Sequence, residues 1–158
     1  MGRSGLSYLE KTSKDVFGNT VDTPSALDRR TVKRFHCSAA ITIGDWVALD
    51  TGQTHSARAI TVVEAAAVAT GNPLVVGVAI TTGVAGGQVD VVTRGYVEGA
   101  SVANAVNAAG LALVVDNTAA GQAVAIVAAD IAPPCGVSLE AAAGNFADVF
   151  VFGLGSDS

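Results

Sequence analysis

Histidine and cysteine, the side chains most often recruited to hold transition metals, number only two each in this chain of 158 residues. His36 and Cys37 are adjacent, and neighbours on a strand point to opposite faces, so they make a poor metal clamp. Cys37 and Cys135 are too few and too distant for a disulfide framework and are expected as buried free thiols. The sequence has no Gly-x-Ser-x-Gly elbow. The glycines of "GVAGGQ" are not followed by Lys-Ser/Thr, which excludes a phosphate loop. No metal, no cofactor and no catalytic residue is expected.

Aromatic residues make up only 5% of the chain and charged residues only 15%, while half of it is apolar. The apolar residues are mainly Ala and Val, each of which buries little area, so the core is expected to be thin and finely packed. A surface so poor in charge suits a protein that works in an assembly. The chain opens without an apolar signal segment. Long apolar runs are interrupted: residues 59–80 contain Glu64, Asn72 and Pro73, and "AGQAVAIVAADIAPPCGVSL" contains Asp130 and Pro133–Pro134. A charge at mid-bilayer costs roughly 3 kcal/mol, so neither run is read as a membrane span.

The charge that is present is unevenly placed. Residues 1–34 hold seven of the nine basic groups and four acids, a net +3, which leaves −8 on residues 35–158. This first segment has no sustained apolar period and is read as an extended basic N-terminal arm, 1–34, ahead of a β-rich body, 35–158. Arg29, Arg30, Lys33 and Arg34, with Phe35 beside them, are its candidate contacts to an acidic partner surface. One small cluster is too little for a nucleic-acid footprint.

What the body does have is a repetition. "GDWVALD" (44–50) and "GLALVVD" (110–116) match at an offset of 66. Gly77-Val78 matches Gly136-Val137 at 59, and Asp90 and Gly95 match Asp148 and Gly153 at 58. The falling offset places about seven extra residues in the first copy around "TGQTHSARAI" and one more in the Gly86–Gly87 turn. Four ordered landmarks per copy favour an internal duplication, with copies of about 40–99 and 106–153. In "QVDVVTRG", Val89, Val91 and Thr93 share one face. In "ADVFVFG", Phe150 and Phe152 oppose Val149 and Val151, which predicts a strand covered on both sides. Glycines, Gly95 and Gly99 among them, recur where strands are expected to end or turn. "EAAAVAT" and "LEAAAG" are too short for independent helices, and "VANAVNAAG" has room for one helical turn. The fold class expected is all-β: eight to ten short strands in a small β-barrel or sandwich with two pseudo-repeated halves and an extended N-terminal arm.

Asp50 and Asp116 occupy equivalent positions but each ends a strand before a turn, where Asp accepts backbone N–H bonds. Trp46, the sole tryptophan, stands where the second copy has Ala112 and is read as a core or interface anchor.

The ordered segments "IGDWVALD", "VVGVAITTGVAGGQVDVVTRGYVEG", "AAGLALVVD" and "PCGVSLEAAAGNFADVFVFG" resemble the head-decoration, or capsid cement, proteins of tailed bacteriophages over residues 40–153. The resemblance implies a non-enzymatic virion protein on the capsid exterior, assembled in the host cytoplasm. It implies a homotrimer that clamps neighbouring subunits of the major capsid protein, with no cofactor and neither nucleic acid nor membrane as partner. The long basic arm departs from that pattern. Two other classes are weighed: a glycan-binding adhesin or fibre module that stacks sugars on Trp46 or Tyr96, and a small β-barrel enzyme such as a lyase or protease accessory.

Overall fold

The computed structural model describes residues 12–14, 20–22, 30–116 and 119–153. Strands β1 (Thr12–Lys14) and β2 (Thr20–Asp22) form a two-stranded antiparallel ladder. The other nine form one sheet: β3 (Thr31–Cys37), β4 (Trp46–Leu49), β5 (Thr61–Glu64), β6 (Val75–Ala79), β7 (Gln88–Ser101), β8 (Ala112–Val114), β9 (Val124–Ala125), β10 (Gly136–Ser138) and β11 (Phe146–Phe152). The all-β expectation holds. The one helical element among the described residues is a 3-10 turn, His55–Ala59, within the expected insertion. "VANAVNAAG" forms no helix: Val102 makes a β-bridge, and turns follow it, with Val106 buried. No described helix is long and apolar enough to cross a membrane.

The sheet rolls up on itself. β3 pairs in parallel with β5, β5 with β4, β4 with β6, β6 with β7, and β7 returns to β3, which closes a five-stranded barrel. A narrow barrel leaves little room inside. Its lumen is accordingly filled by small side chains: Cys37, Ile41, Val47, Val62, Val76, Ala79, Val89 and Val91. This is the physical role of the Ala/Val-rich composition.

β7 does not end at Gly95. It runs for 14 residues, and its C-terminal half pairs with β11. β11 pairs with β10, β10 with β8 and β8 with β9, and a parallel bridge between Val102 and Ala123 completes a second ring. Gly99, expected to mark a turn, lies instead at a β-bulge. The register shifts there, so that Glu98 and Gly99 together oppose Asp148, and Gly99 takes φ +67°.

The ladder registers of the two rings correspond. Trp46 faces Val78 as Ala112 faces Val137, and Val47 faces Gly77 as Leu113 faces Gly136. Val78 faces Val92 as Val137 faces Phe150, and Ala79 faces Val91 as Ser138 faces Val149. Register is strongly specified wherever a face is buried, since a one-residue slip reverses every side chain. Loop bonds agree as well. Gly44 N–H donates to Ala79 O over 2.8 Å, and Gly110 N–H to Ser138 O over 2.7 Å. Both glycines take positive φ, +94° and +82°. Cys37 N–H donates to Gly87 O over 3.0 Å, and Val102 N–H to Asn145 O over 2.9 Å.

That last pair corrects two boundaries. Cys37 corresponds to Val102, so β3 is the first strand of copy one, and the C-terminal half of β7 plays the same part in copy two. The copies therefore begin earlier than 40 and 106. Residues 31–34, assigned to the arm by their charge, are strand and pair with β7. The rest of the arm, residues 12–14, 20–22 and 30 apart, lies outside the described residues.

Truncation tests this boundary. Deleting residues 1–29 should leave the thermal midpoint within about 2 °C, whereas deleting 1–34 removes part of β3. At about 1 kcal/mol per lost ladder bond and about 3 °C per kcal/mol at this size, the second truncation should melt about 10 °C lower by circular dichroism. Equal midpoints would return β3 to the arm.

Candidate functional site

The basic cluster does not form one patch. Alternation along β3 puts Lys33 and Phe35 on one face and Arg34 on the other. Phe35 is half-buried and packs against the first barrel's core, so it is a lumen-side residue and not a free contact. Arg34 sits directly across from Asp90 and donates Nε to Oδ1 at 2.7 Å and Nη2 to Oδ2 at 3.1 Å. This pair raises Arg34 and lowers Asp90 in pKa, chiefly through the hydrogen bonds. Its side chain stays 65% exposed, so the pair adds little stability. Arg30 is half-buried, and Arg29 lies outside the described residues.

Trp46 is removed from the surface altogether. It is 0% exposed. The β4 alternation that turns Val47 into the first barrel points Trp46 outward from it, into the core of the second. Its Nε1–H donates to Ser101 O at 2.9 Å. A Cβ built on Gly136 would stand 2.8 Å from the indole Cη2, so only glycine at 136 leaves the ring its space. Trp46 is the wedge between the barrels and offers neither a stacking platform nor a docking contact.

The chemistry-bearing residues are used structurally. Asp50 accepts Gly52 N–H at 2.9 Å and Gln53 Nε2–H at 2.8 Å, and its pKa falls, first because of Gln53. It is a turn cap, as expected. Asp116 accepts Val68 N–H on its main-chain oxygen. Both cysteines are buried free thiols. Burial pushes Cys135 up to about 12, which leaves it inert as a nucleophile. Among the described residues no three of His, Cys, Asp and Glu gather as a metal-binding group.

What sequence reasoning missed is an apolar surface on the second barrel. Alternation on β11 puts Phe146, Asp148, Phe150 and Phe152 on its outer face. That face, expected to be covered, is open: Phe146 is 53% exposed, Phe152 40%, and Phe150 half-buried. Across the ladder Phe150 faces Val137 on one side and Tyr96 on the other. Tyr96 donates its hydroxyl to Asp148 Oδ2 at 2.7 Å, and Gly99 N–H donates to Oδ1 at 3.1 Å. Beyond Phe152 runs an apolar groove where the β5–β6 and β9–β10 loops meet. Its wider part, about 360 Å³, is lined by Val68, Thr70, Gly71, Pro73, Ile131, Ala132 and Pro133. Ile131 is 82% exposed. The signal was present as three phenylalanines on one strand face.

Two substitutions probe these assignments. Trp46→Ala removes a buried indole and should cost about 3–5 kcal/mol in urea unfolding; a loss under about 1 kcal/mol would contradict the wedge. The Asp148 hydrogen bond pushes Tyr96 up to about 12. Because the folded value exceeds the unfolded one of about 10, the associated stability is complete below pH 10 and declines as pH rises toward 12. In a Tyr8→Phe background, Asp148→Asn should shift the ultraviolet titration of Tyr96 to lower pH.

Neither the family models nor the curated proteins yield a match to this chain.

Proposed function

We propose that the protein is a non-enzymatic decoration protein of an icosahedral phage shell. It binds the capsid exterior as a homotrimer and holds neighbouring major capsid protein subunits together, without a cofactor, nucleic acid or membrane as partner. The observation that carries this reading is a body stiffened by ladder bonds that leaves bulky apolar side chains exposed on a surface with few charges. Ile131, Val84 and Phe146 are each more than half exposed, and charged residues make up only 15% of the chain. Such a surface suits shallow contact spread over several subunits, and trimerisation multiplies modest single-site affinities by avidity. The order of motifs that resembles capsid cement proteins supports the same reading. A glycan platform on Trp46 is set aside, because the indole is buried and cannot stack on a sugar.

The reading is tested by co-sedimentation of the purified full chain with expanded and unexpanded shells of tailed phages. Saturable binding to expanded shells is expected, and no binding to any shell would overturn it. Deleting residues 1–29 should weaken that binding more than tenfold, which is about 1.4 kcal/mol. Neutralising Arg30, Lys33 and Arg34 should have a smaller effect that fades at high salt, since exposed charges are screened over about 10 Å at 0.1 M. Unchanged occupancy after the truncation would place the whole interface on the double barrel.

A further inference from the structure

The duplication supplies an internal reference for what each barrel wall faces. In the first copy the outward row Trp46–Val78–Val92 runs across three paired strands, and all three residues are 0% exposed. They share one core cluster with the residues of the second barrel. In the second copy the corresponding row is Ala112–Val137–Phe150, held in the same registers, and each of its members is only half-buried. The first wall is covered by a barrel of this fold, while no third barrel among the described residues covers the second.

Two outer positions are exposed in both copies, polar in the first (Gln88, Arg94) and aromatic in the second (Phe146, Phe152). Where β7 carries Gln88, Val92 and Arg94, β11 carries Phe146, Phe150 and Phe152. Three of the five phenylalanines in the chain therefore stand on one outer strand face. Exposed aromatic surface is unfavourable for a lone chain, and a contiguous patch of it marks an interface. The patch is also continuous with the existing barrel–barrel junction. Phe152 pairs with Arg94 on the shared strand, and Gly153 abuts the main chain of Val76 and Gly77 on β6.

We infer that the outer wall of the second barrel, centred on Val137, Phe150 and Phe152, is the docking face for a second copy of this chain. A barrel from the neighbour covers it as the second barrel covers the first within one chain. The inference stands apart from shell binding, since it concerns contact between copies in solution.

Sedimentation of the full chain at micromolar concentration, with no shells present, is the direct measurement. The wild type should contain more than one chain, and Phe152→Asp should weaken self-association at least tenfold. Val84→Asp, on the exposed β6–β7 turn of the first barrel, should sediment as the wild type. A monomeric wild type overturns the inference, as does an assembly that Phe152→Asp leaves intact. Should the variant fail to fold, fluorine-labelled phenylalanine in the unaltered sequence keeps the test open. The Phe146 and Phe152 resonances should be shielded from a soluble paramagnetic agent, and strong relaxation at both would refute the docking face. Shielding that arises only when shells are added would assign the wall to the shell protein instead and overturn the assignment to a second copy.

Discussion

One strand belongs to both barrels, and the rest of the architecture depends on it. Every residue of a strand carries a donor and an acceptor that must be satisfied. In β7 the N-terminal half meets β3 and β6, and the C-terminal half meets β11. The barrels cannot hinge about each other without breaking that ladder. The changeover falls at Arg94 and Gly95, where the pairing of β7 passes from β3 to β11 and Gly95 takes φ +108°, a conformation that favours glycine. The result is a stiff double barrel built from side chains too small to make a stiff core any other way.

The second dependence is the Trp46–Gly136 contact. A duplicated unit stacked on itself needs one surface that fills and one that receives, and two identical copies would offer the same face twice. The sequence breaks the tie. Position 46 holds the largest side chain available, and its counterpart at 112 holds alanine. Gly136 and Gly77 occupy equivalent ladder positions but exclude a side chain for different reasons. At Gly77 a Cβ would overlap the carbonyl of Val92, and at Gly136 it would meet both Phe150 O and the indole. One glycine permits a close strand approach, and the other additionally makes room for the wedge.

The duplication was legible in the sequence because its landmarks are glycines and aspartates at turns, where backbone conformation allows few substitutes. The all-β class followed from the same punctuation and from alternation in β7 and β11. The first strand of each copy was not legible. β3 reads "TVKRFHC", with four of its seven side chains ionisable, and its counterpart in β7 reads "GYVEGASV". They share a ladder position, but no residue is the same at matched positions, since strand pairing is made by the backbone. Charge on β3 looked like an arm because that strand is exposed along most of its length. Gly95 and Gly99 looked like strand ends because glycine marks turns and bulges alike. For the site, Arg34 and Lys33 are neighbours in sequence yet strand alternation sends them to opposite faces. Trp46 was correctly seen as an anchor, but whether it anchors a core or an interface depends on a tertiary contact 90 residues away.

Divergence between the copies reports what each wall touches. Lumen positions changed little: Val89 and Val91 correspond to Ala147 and Val149, and Val47 to Leu113, so both rings keep short aliphatic walls, and the second receives Trp46 besides. The outer positions changed most, and not toward polarity, as drift on a solvated face would produce. Gln88 and Arg94 are exposed and polar, and their counterparts Phe146 and Phe152 are exposed and aromatic. A wall that faced water in the working protein would have no physical reason to gain apolar area. Aromatic gain on that wall is what the proposed docking of a second copy accounts for.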